Sequence, residues 1–371
     1  MNSAIELPYL DNPNFQIELT NLLDEFEMLL TGFKNSKSDE FRESVFEKIE
    51  EVFDLLQKCY ENKDGKIFLN ELRDYSKKIL KNDLDYFYGL NTNSQKSKNQ
   101  FFESKISRFS LFILKVILFK NKSKITKNFQ NGNLKREELT TDSGLAINLA
   151  TILLNIDFKV SGIFSRLKKM TGENMSVVGC ALELSTHKSR WWLLSDKENT
   201  PKTTYLHLDE GIGNPKAITY LSSVNQKNGP FSVIKNQEDI FKINYIQSLI
   251  GRAIGQVGRE NSKIKDLFNH KYHQTFGCKN FKELFELLPS IVKFNSHFGF
   301  DVKPNSLLEE KLIQNEIVFT GTPGKTIVFD GSSVLHRGGL IIEGERLALQ
   351  IVLGKKKQFY YLNKILRYVK S

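Results

Sequence analysis

Apolar side chains in the first third of the chain recur at helical spacing. Phe15, Leu19, Leu22, Phe26, Leu29 and Phe33 step by threes and fours, and so do Phe41, Val45, Ile49, Val52, Phe53 and Leu56 after a capping Ser38. A third helix is predicted over Leu69–Leu80. A fourth follows over Phe101–Phe119, its buried stripe being Phe102, Ile106, Phe109, Ile113 and Val116, after a polar loop from Asn91 to Asn99. The Lys-, Asn- and Gln-rich run from Lys120 to Glu138 has no such period and reads as a connection. Beyond Thr140 the period shortens. Leu145–Leu154 is helical, but Met175–Leu184, Ser189–Leu194, Tyr205–Asp209, Ile218–Leu221, Thr326–Asp330 and Arg346–Val352 read as strands. Between the strands, residues 238–312 return to a helical pattern. The expected organisation is a helical N-terminal domain (1–120), a linker (121–138) and a strand-rich domain (139–371) carrying that helical insertion.

Composition narrows the class. At 371 residues with 40% hydrophobic and 26% charged side chains, the chain can bury a sizeable core. The net charge of +10 favours acidic partners, but the excess lies in lysine-rich connections, so nucleic acid is not the expected partner. The three cysteines, Cys59, Cys180 and Cys278, are too far apart for a disulfide framework or a CxxC metal site, which suits a reducing, cytoplasmic setting. Met1–Leu10 has no signal-peptide pattern. Leu111–Phe119, interrupted by Lys115, is much shorter than the roughly 20 residues of a membrane span.

Two stretches mimic ligand loops. Tyr60–Glu71 has Asn62, Asp64, Gly65, Ile67 and Glu71 at EF-hand positions, but Tyr60 stands where the first Asp ligand belongs, so a helix–turn–helix corner is expected. Gly321–Thr326 resembles a phosphate loop, yet Phe319 occupies the position of the required leading glycine.

The candidate chemistry lies in four residues. Side chains at i and i+2 of a strand share a face, so His207 and Asp209 can share one metal. A third ligand, His336, comes 127 positions after Asp209, beyond a strand and a Gly-Ser-Ser turn. Two imidazoles and one carboxylate form the facial triad of non-haem Fe(II) oxygenases, which leaves positions open for cosubstrate and O2. Arg346, 10 positions further on, shares a strand face with Ala348 and Gln350. A guanidinium inside a barrel needs a carboxylate partner, and the distal carboxylate of 2-oxoglutarate fits that need. His187, His270, His273 and His297 are read as structural, because no Cys or carboxylate cluster completes a zinc pattern.

Here the chain resembles the phytanoyl-CoA dioxygenase-like Fe(II)/2-oxoglutarate oxygenases. The similarity covers Tyr205–Ile234, with its His-x-Asp strand and Asn228-Gly229-Pro230 turn, and Gly324–Leu353, with Leu335-His336-Arg337-Gly338-Gly339. Gly338 stands where some relatives carry Ser or Thr, and Lys235-Asn236-Gln237 replaces a Gly-Ser-His. The rest of the cosubstrate pocket is therefore assigned only to Thr204 and to the segment around Trp192. The resemblance implies an α+β fold, with a double-stranded β-helix (a cupin-like jelly roll) flanked by helices. It also implies hydroxylation of an unactivated C–H bond in a small organic or lipid-like substrate, with release of succinate and CO2. Relatives that use Lys for the distal carboxylate, and carrier-dependent halogenases that lack the Asp, fit less well. Two further readings stand beside this one: an inactive barrel that binds a protein partner through its helical domain, and a cupin-type enzyme needing no 2-oxoglutarate, which would have no use for Arg346.

Overall fold

A computed structural model describes residues 12–60, 62–90, 100–132, 139–187, 201–209, 211–260, 281–339 and 341–355. In chain order the elements are α1 (Pro13–Ser36), α2 (Asp39–Gln57), α3 (Lys63–Tyr88), β1 (Phe101–Lys105), α4 (Arg108–Ile117), α5 (Phe119–Gln130), β2 (Thr140–Thr141), α6 (Leu145–Val160), α7 (Ile163–Thr171), β3 (Met175–Thr186), β4 (Lys216–Tyr220) and β5 (Phe231–Ile234). Then come α8 (Gln237–Ile240), α9 (Tyr245–Glu260), α10 (Phe281–Glu286), α11 (Leu307–Gln314), β6 (Glu316–Phe319), β7 (Lys325–Phe329), β8 (His336–Gly338) and β9 (Glu345–Lys355). They form two compact units, Met1–Thr92 with Phe241–Asp301, and Asn93–Ile240 with Val302–Ser371.

The first unit is helical. Its apolar cluster joins Phe26, Phe33, Val52 and Phe68 of α1–α3 to Leu249, Ile250 and Ile254 of α9. Ser38 caps α2 as predicted, accepting from the Phe41 N–H at 3.2 Å. The EF-hand-like stretch is no loop: Asn62 caps α3, Gly65 lies in its first turn, and the buried Tyr60 hydroxyl donates to the Leu284 carbonyl at 2.7 Å. At the centre, the Arg252 guanidinium donates to both oxygens of Asp83, at 3.0 and 2.6 Å, and the Tyr245 hydroxyl donates to the same carboxylate.

These contacts revise the sequence partition. The expected insertion at 238–312 is divided, since α9 and α10 pack with α1–α3, whereas α8 and α11 belong to the second unit. The expected helical domain also ends early. Phe101–Lys105 is a strand paired antiparallel with β7, so only Arg108–Ile117 remains of the fourth helix, with Ser107 as its cap. Phe109 and Val116, expected in the buried stripe, are exposed, while Ser110, Leu114 and Leu118 are buried. A helix whose apolar residues cover more than half its circumference offers more than one face, and spacing alone does not select between them.

The second unit mixes helices with two antiparallel sheets. Six strands run in the order β1-β7-β4-β9-β3-β2 and three in the order β6-β5-β8. Tyr220, Ile327, Phe329 and Ala348 of the larger sheet bury against Phe231, Val233 and Phe319 of the smaller, so the two sheets enclose one apolar core. Gly321, in the phosphate-loop mimic, bridges Val224 on the way into β7. The expected strand Ser189–Leu194 and Trp192 lie outside the described residues. No single helix among the described residues is long and apolar enough to cross a membrane, although α6 and α7 pass as a pair bent by 82°.

Candidate metal centre

His336 opens β8, where it pairs with Val233 of β5. Its other edge meets His207 in a single bridge of two backbone hydrogen bonds, His207 N to His336 O at 3.0 Å and the reverse at 3.1 Å. The bridge sets the two imidazoles 4.3 Å apart, centre to centre. His207 Nδ1 lies 2.9 Å from the Tyr205 carbonyl oxygen and His336 Nδ1 lies 3.0 Å from that of Val334. A carbonyl only accepts, so each Nδ1 carries the hydrogen and each Nε2 keeps a lone pair, as metal-ligating histidines require. Phe329 and Phe231 pack around the His336 ring at 4.7 and 5.8 Å. Burial, reinforced by His207 and Lys216 and opposed by Asp209, lowers the His336 pKa to about 3, so the ring is neutral at pH 7.

Asp209 is brought to this pair by its backbone, whose N–H donates to the Gly331 carbonyl at 2.7 Å. The carboxylate is asymmetric. Oδ1 accepts from the Lys216 ammonium at 2.6 Å, while Oδ2 is buried without a hydrogen-bond partner, 3.6 Å from His336 Nε2. Burial alone would raise this carboxyl, but Lys216, His336 and His207 hold it well below the usual carboxylate range. A Cβ at Gly331 would fall 1.8 Å from Oδ2, so the carboxylate occupies space that only glycine leaves open. One ligand atom from each of His207, Asp209 and His336 lies within 4.8 Å of the others. Two lone pairs and an unsatisfied buried anionic oxygen fit a divalent cation, and these three residues could hold one.

The segment carrying His207 and Asp209 is not the strand expected over Tyr205–Asp209. Residues 202–205 turn, Tyr205 has a left-handed φ of 71°, and only His207 makes a bridge. Its carbonyls are committed elsewhere. Arg337 Nη1 takes those of Lys202 and Thr204 at 2.6 and 2.9 Å, and the His207 ring takes that of Tyr205. The same guanidinium grips Glu316 through two parallel bonds of 2.8 and 2.6 Å, so the residue after His336 braces the turn before His207. Thr204, expected near the cosubstrate, is fully buried, and its hydroxyl donates to the Pro201 carbonyl at 2.5 Å within that turn.

Arg346 lies opposite Ser185 in β9 and two residues from Ala348, which lines the core between the sheets. It is buried, donates to the Gly229 carbonyl, and reaches the Ser185 hydroxyl at 3.1 Å. Nε has no partner, and among the described residues no carboxylate forms an ion pair with it. Ser185 in turn donates to Glu183, whose other oxygen accepts from Gln350. Lys216, Gly331, Arg337 and Ser185 were not singled out from sequence. Gly331 and Arg337 adjoin the motif in the Asp-Gly-Ser-Ser turn and beside His336, whereas Lys216 and Ser185 have no local signal.

No family model matches the sequence, and no curated protein matches it. Solved structures are similar at low level. The iron-bound HygX from Streptomyces hygroscopicus is 9% identical, with a TM-score of 0.35 over 69% of this chain and 82% of that one. EctD from S. alaskensis with 2-oxoglutarate and 5-hydroxyectoine is 11% identical, with a TM-score of 0.36 over 70% and 73%. The epimerase SnoN in complex with Fe3+, alpha ketoglutarate and a nogalamycin is 9% identical, with a TM-score of 0.35 over 70% and 80%. At these scores the likenesses carry no weight for the chemistry, which rests on the residues of this chain.

Proposed function

We propose that the chain is an Fe(II)- and 2-oxoglutarate-dependent dioxygenase of the phytanoyl-CoA dioxygenase-like kind, its two sheets forming a double-stranded β-helix. The observation that carries this reading is a buried guanidinium, Arg346, without a carboxylate ion-pair partner among the described residues, in the unit that also buries the His207–Asp209–His336 cluster. A buried cation of this kind calls for an anion, and a bidentate carboxylate suits a guanidinium. In this reading the triad holds the iron, and Arg346 takes the distal carboxylate of the cosubstrate. Lys216 neutralises Asp209 through Oδ1 and leaves Oδ2 to the metal. Phe231 and Phe329 keep the His336 side of the centre apolar and exclude water. When bound, iron, 2-oxoglutarate and O2 supply an oxidation that yields succinate and CO2 and hydroxylates a C–H bond of a small organic or lipid-like substrate.

The test is anaerobic addition of Fe(II) and 2-oxoglutarate to the apo-protein, followed through the weak visible charge-transfer band of a chelated 2-oxo acid. Asp209→Ala and Arg346→Ala should abolish or weaken the band. Its absence from folded wild-type protein would overturn the assignment and leave the helical unit as a binding module.

A further inference from the structure

α4 and α5 carry a surface that the proposed oxygenase chemistry does not use. Phe109, Phe112 and Val116 of α4 are 71%, 63% and 58% exposed, and Phe119 at the start of α5 is 66% exposed. Their spacing of three, four and three residues sets them along one side of a helical path, and Leu114, Leu118 and Ile125 are buried. From Arg108 to Gln130 there is no carboxylate, while Arg108, Lys115, Lys120, Lys122, Lys124 and Lys127 are all exposed. Beside this stripe is a cavity of about 180 Å³ lined by Leu118, Leu182, Leu221 and Leu347 together with Lys115 and Lys122.

We propose that α4 and α5 form a docking surface for an anionic membrane, with the aromatic stripe entering the headgroup–acyl boundary and the cations held at the lipid phosphates. Several large exposed apolar side chains on one short helix need a non-aqueous neighbour, and cations without any carboxylate fix the sign of that neighbour's charge. A nucleic-acid duplex would satisfy the cations but leave the phenylalanines in water, its bases being stacked on one another. The chain's own basic C-terminal stretch, Lys355–Lys370, has the wrong charge to cover a cationic face.

The experiment is co-sedimentation of the full-length protein with vesicles of pure phosphatidylcholine, and with vesicles containing about one-third phosphatidylserine, at low and high salt. Binding to the anionic vesicles is expected, weakened by salt. Phe112→Ser/Phe119→Ser and Lys120→Glu/Lys124→Glu should each reduce the partition coefficient at least roughly tenfold, given about fivefold per surface cation. Both variants should keep the iron–cosubstrate band, which separates failure here from failure of the oxygenase reading. No vesicle binding, equal binding to both lipid compositions, or binding unchanged by either variant would overturn the proposal. So would capture of a DNA or RNA duplex without vesicle binding, or a concentration-dependent dimer that the phenylalanine variant abolishes.

Discussion

Replacing Gly331 with alanine tests the centre through a residue that contributes no ligand. The φ of Gly331 is not in the left-handed region, so the substitution brings no backbone strain, but its Cβ would stand 1.8 Å from Asp209 Oδ2, 2.7 Å from its Cγ and 3.0 Å from His336 Cε1. Gly331 cannot withdraw easily, because its carbonyl accepts the Asp209 N–H at 2.7 Å and ties the two backbones together. Relief must come from the carboxylate, whose oxygen has to retreat by about 1.2 Å to reach a contact of 3.0 Å. Metal–ligand distances tolerate only about 0.2 Å, so Oδ2 is lost as a ligand. Loss of an outer-shell partner alone costs 10- to 100-fold in metal affinity, and displacing the ligand should cost at least roughly 100-fold, about 2.7 kcal/mol. The assay is thermal unfolding with Co(II) as an air-stable substitute for Fe(II). At a concentration 100 times the wild-type Kd, the metal stabilises the wild type by about 2.7 kcal/mol and a 100-fold weaker variant by about 0.4 kcal/mol. This corresponds to a rise in Tm of roughly 5 °C against about 1 °C. Without metal, Asp209→Ala/Gly331→Ala should regain the stability that Gly331→Ala alone loses, because the clashing partner is gone. An undiminished metal-induced shift in Gly331→Ala would refute the placement of Asp209 at the metal.

Arg346→Gln should raise the KM for 2-oxoglutarate by roughly 30-fold or more, the value of a lost charged hydrogen bond of about 2 kcal/mol, while Co(II) affinity is kept; titrating both ligands checks the separation. His336 in the metal-free protein has a pKa lowered from the ordinary 6.5 to about 3, so below pH 6.5 the unfolded chain binds a proton that the folded chain refuses. Stability is therefore lost as pH falls from about 6.5 towards 3, by about 2 kcal/mol at pH 5, and the unfolding free energy from urea titrations should fall by that amount more in wild type than in His336→Phe between pH 7 and 5. In the helical unit, Asp83→Ala strands the Arg252 guanidinium and should destabilise by roughly 3–5 kcal/mol, whereas Asp83→Leu/Arg252→Met should recover much of the loss; denaturant unfolding followed by circular dichroism measures both.

The pairing of His207 with Asp209 was legible because its grammar is local. His207 and Asp209 are two residues apart, and any extended backbone sends such side chains the same way. That conclusion survived although the strand behind it did not form. Here the His207–His336 bridge and the Asp209 N–H bond to Gly331 position the three side chains in place of a continuous ladder. Arg346 was legible for a related reason, since the alternation of Leu347, Leu349 and Ile351 leaves it on the opposite face of β9. Ser185 was not legible, because its contact with Arg346 depends on β3 lying beside β9, segments more than 100 residues apart, and Lys216, although close to Asp209 in sequence, carries no periodic or motif signal.

The same limit explains the helices. Periodicity reports that a face is apolar, not what covers it. For α1 and α9 the cover lies within their own unit, although ten elements of the second unit, from β1 to α8, separate α3 from α9 along the chain. In α4 apolar residues cover more than one face, so two sides satisfied the pattern, and packing chose Ser110, Leu114 and Leu118 over Val116 and the larger Phe109 and Phe112. Burial of the phenylalanines would have removed more apolar area from water, at about 25 cal/mol per Å². That a stable fold leaves the bulkier face outside and keeps the smaller one within means the helix is placed by its neighbours. Ser107, which caps α4, donates its backbone N–H to Asp157 of α6 at 3.1 Å, and Ile106 N–H bonds the Gly324 carbonyl ahead of β7. These polar anchors at its N-terminus fix the rotation of α4, and the exposed aromatic stripe follows from them.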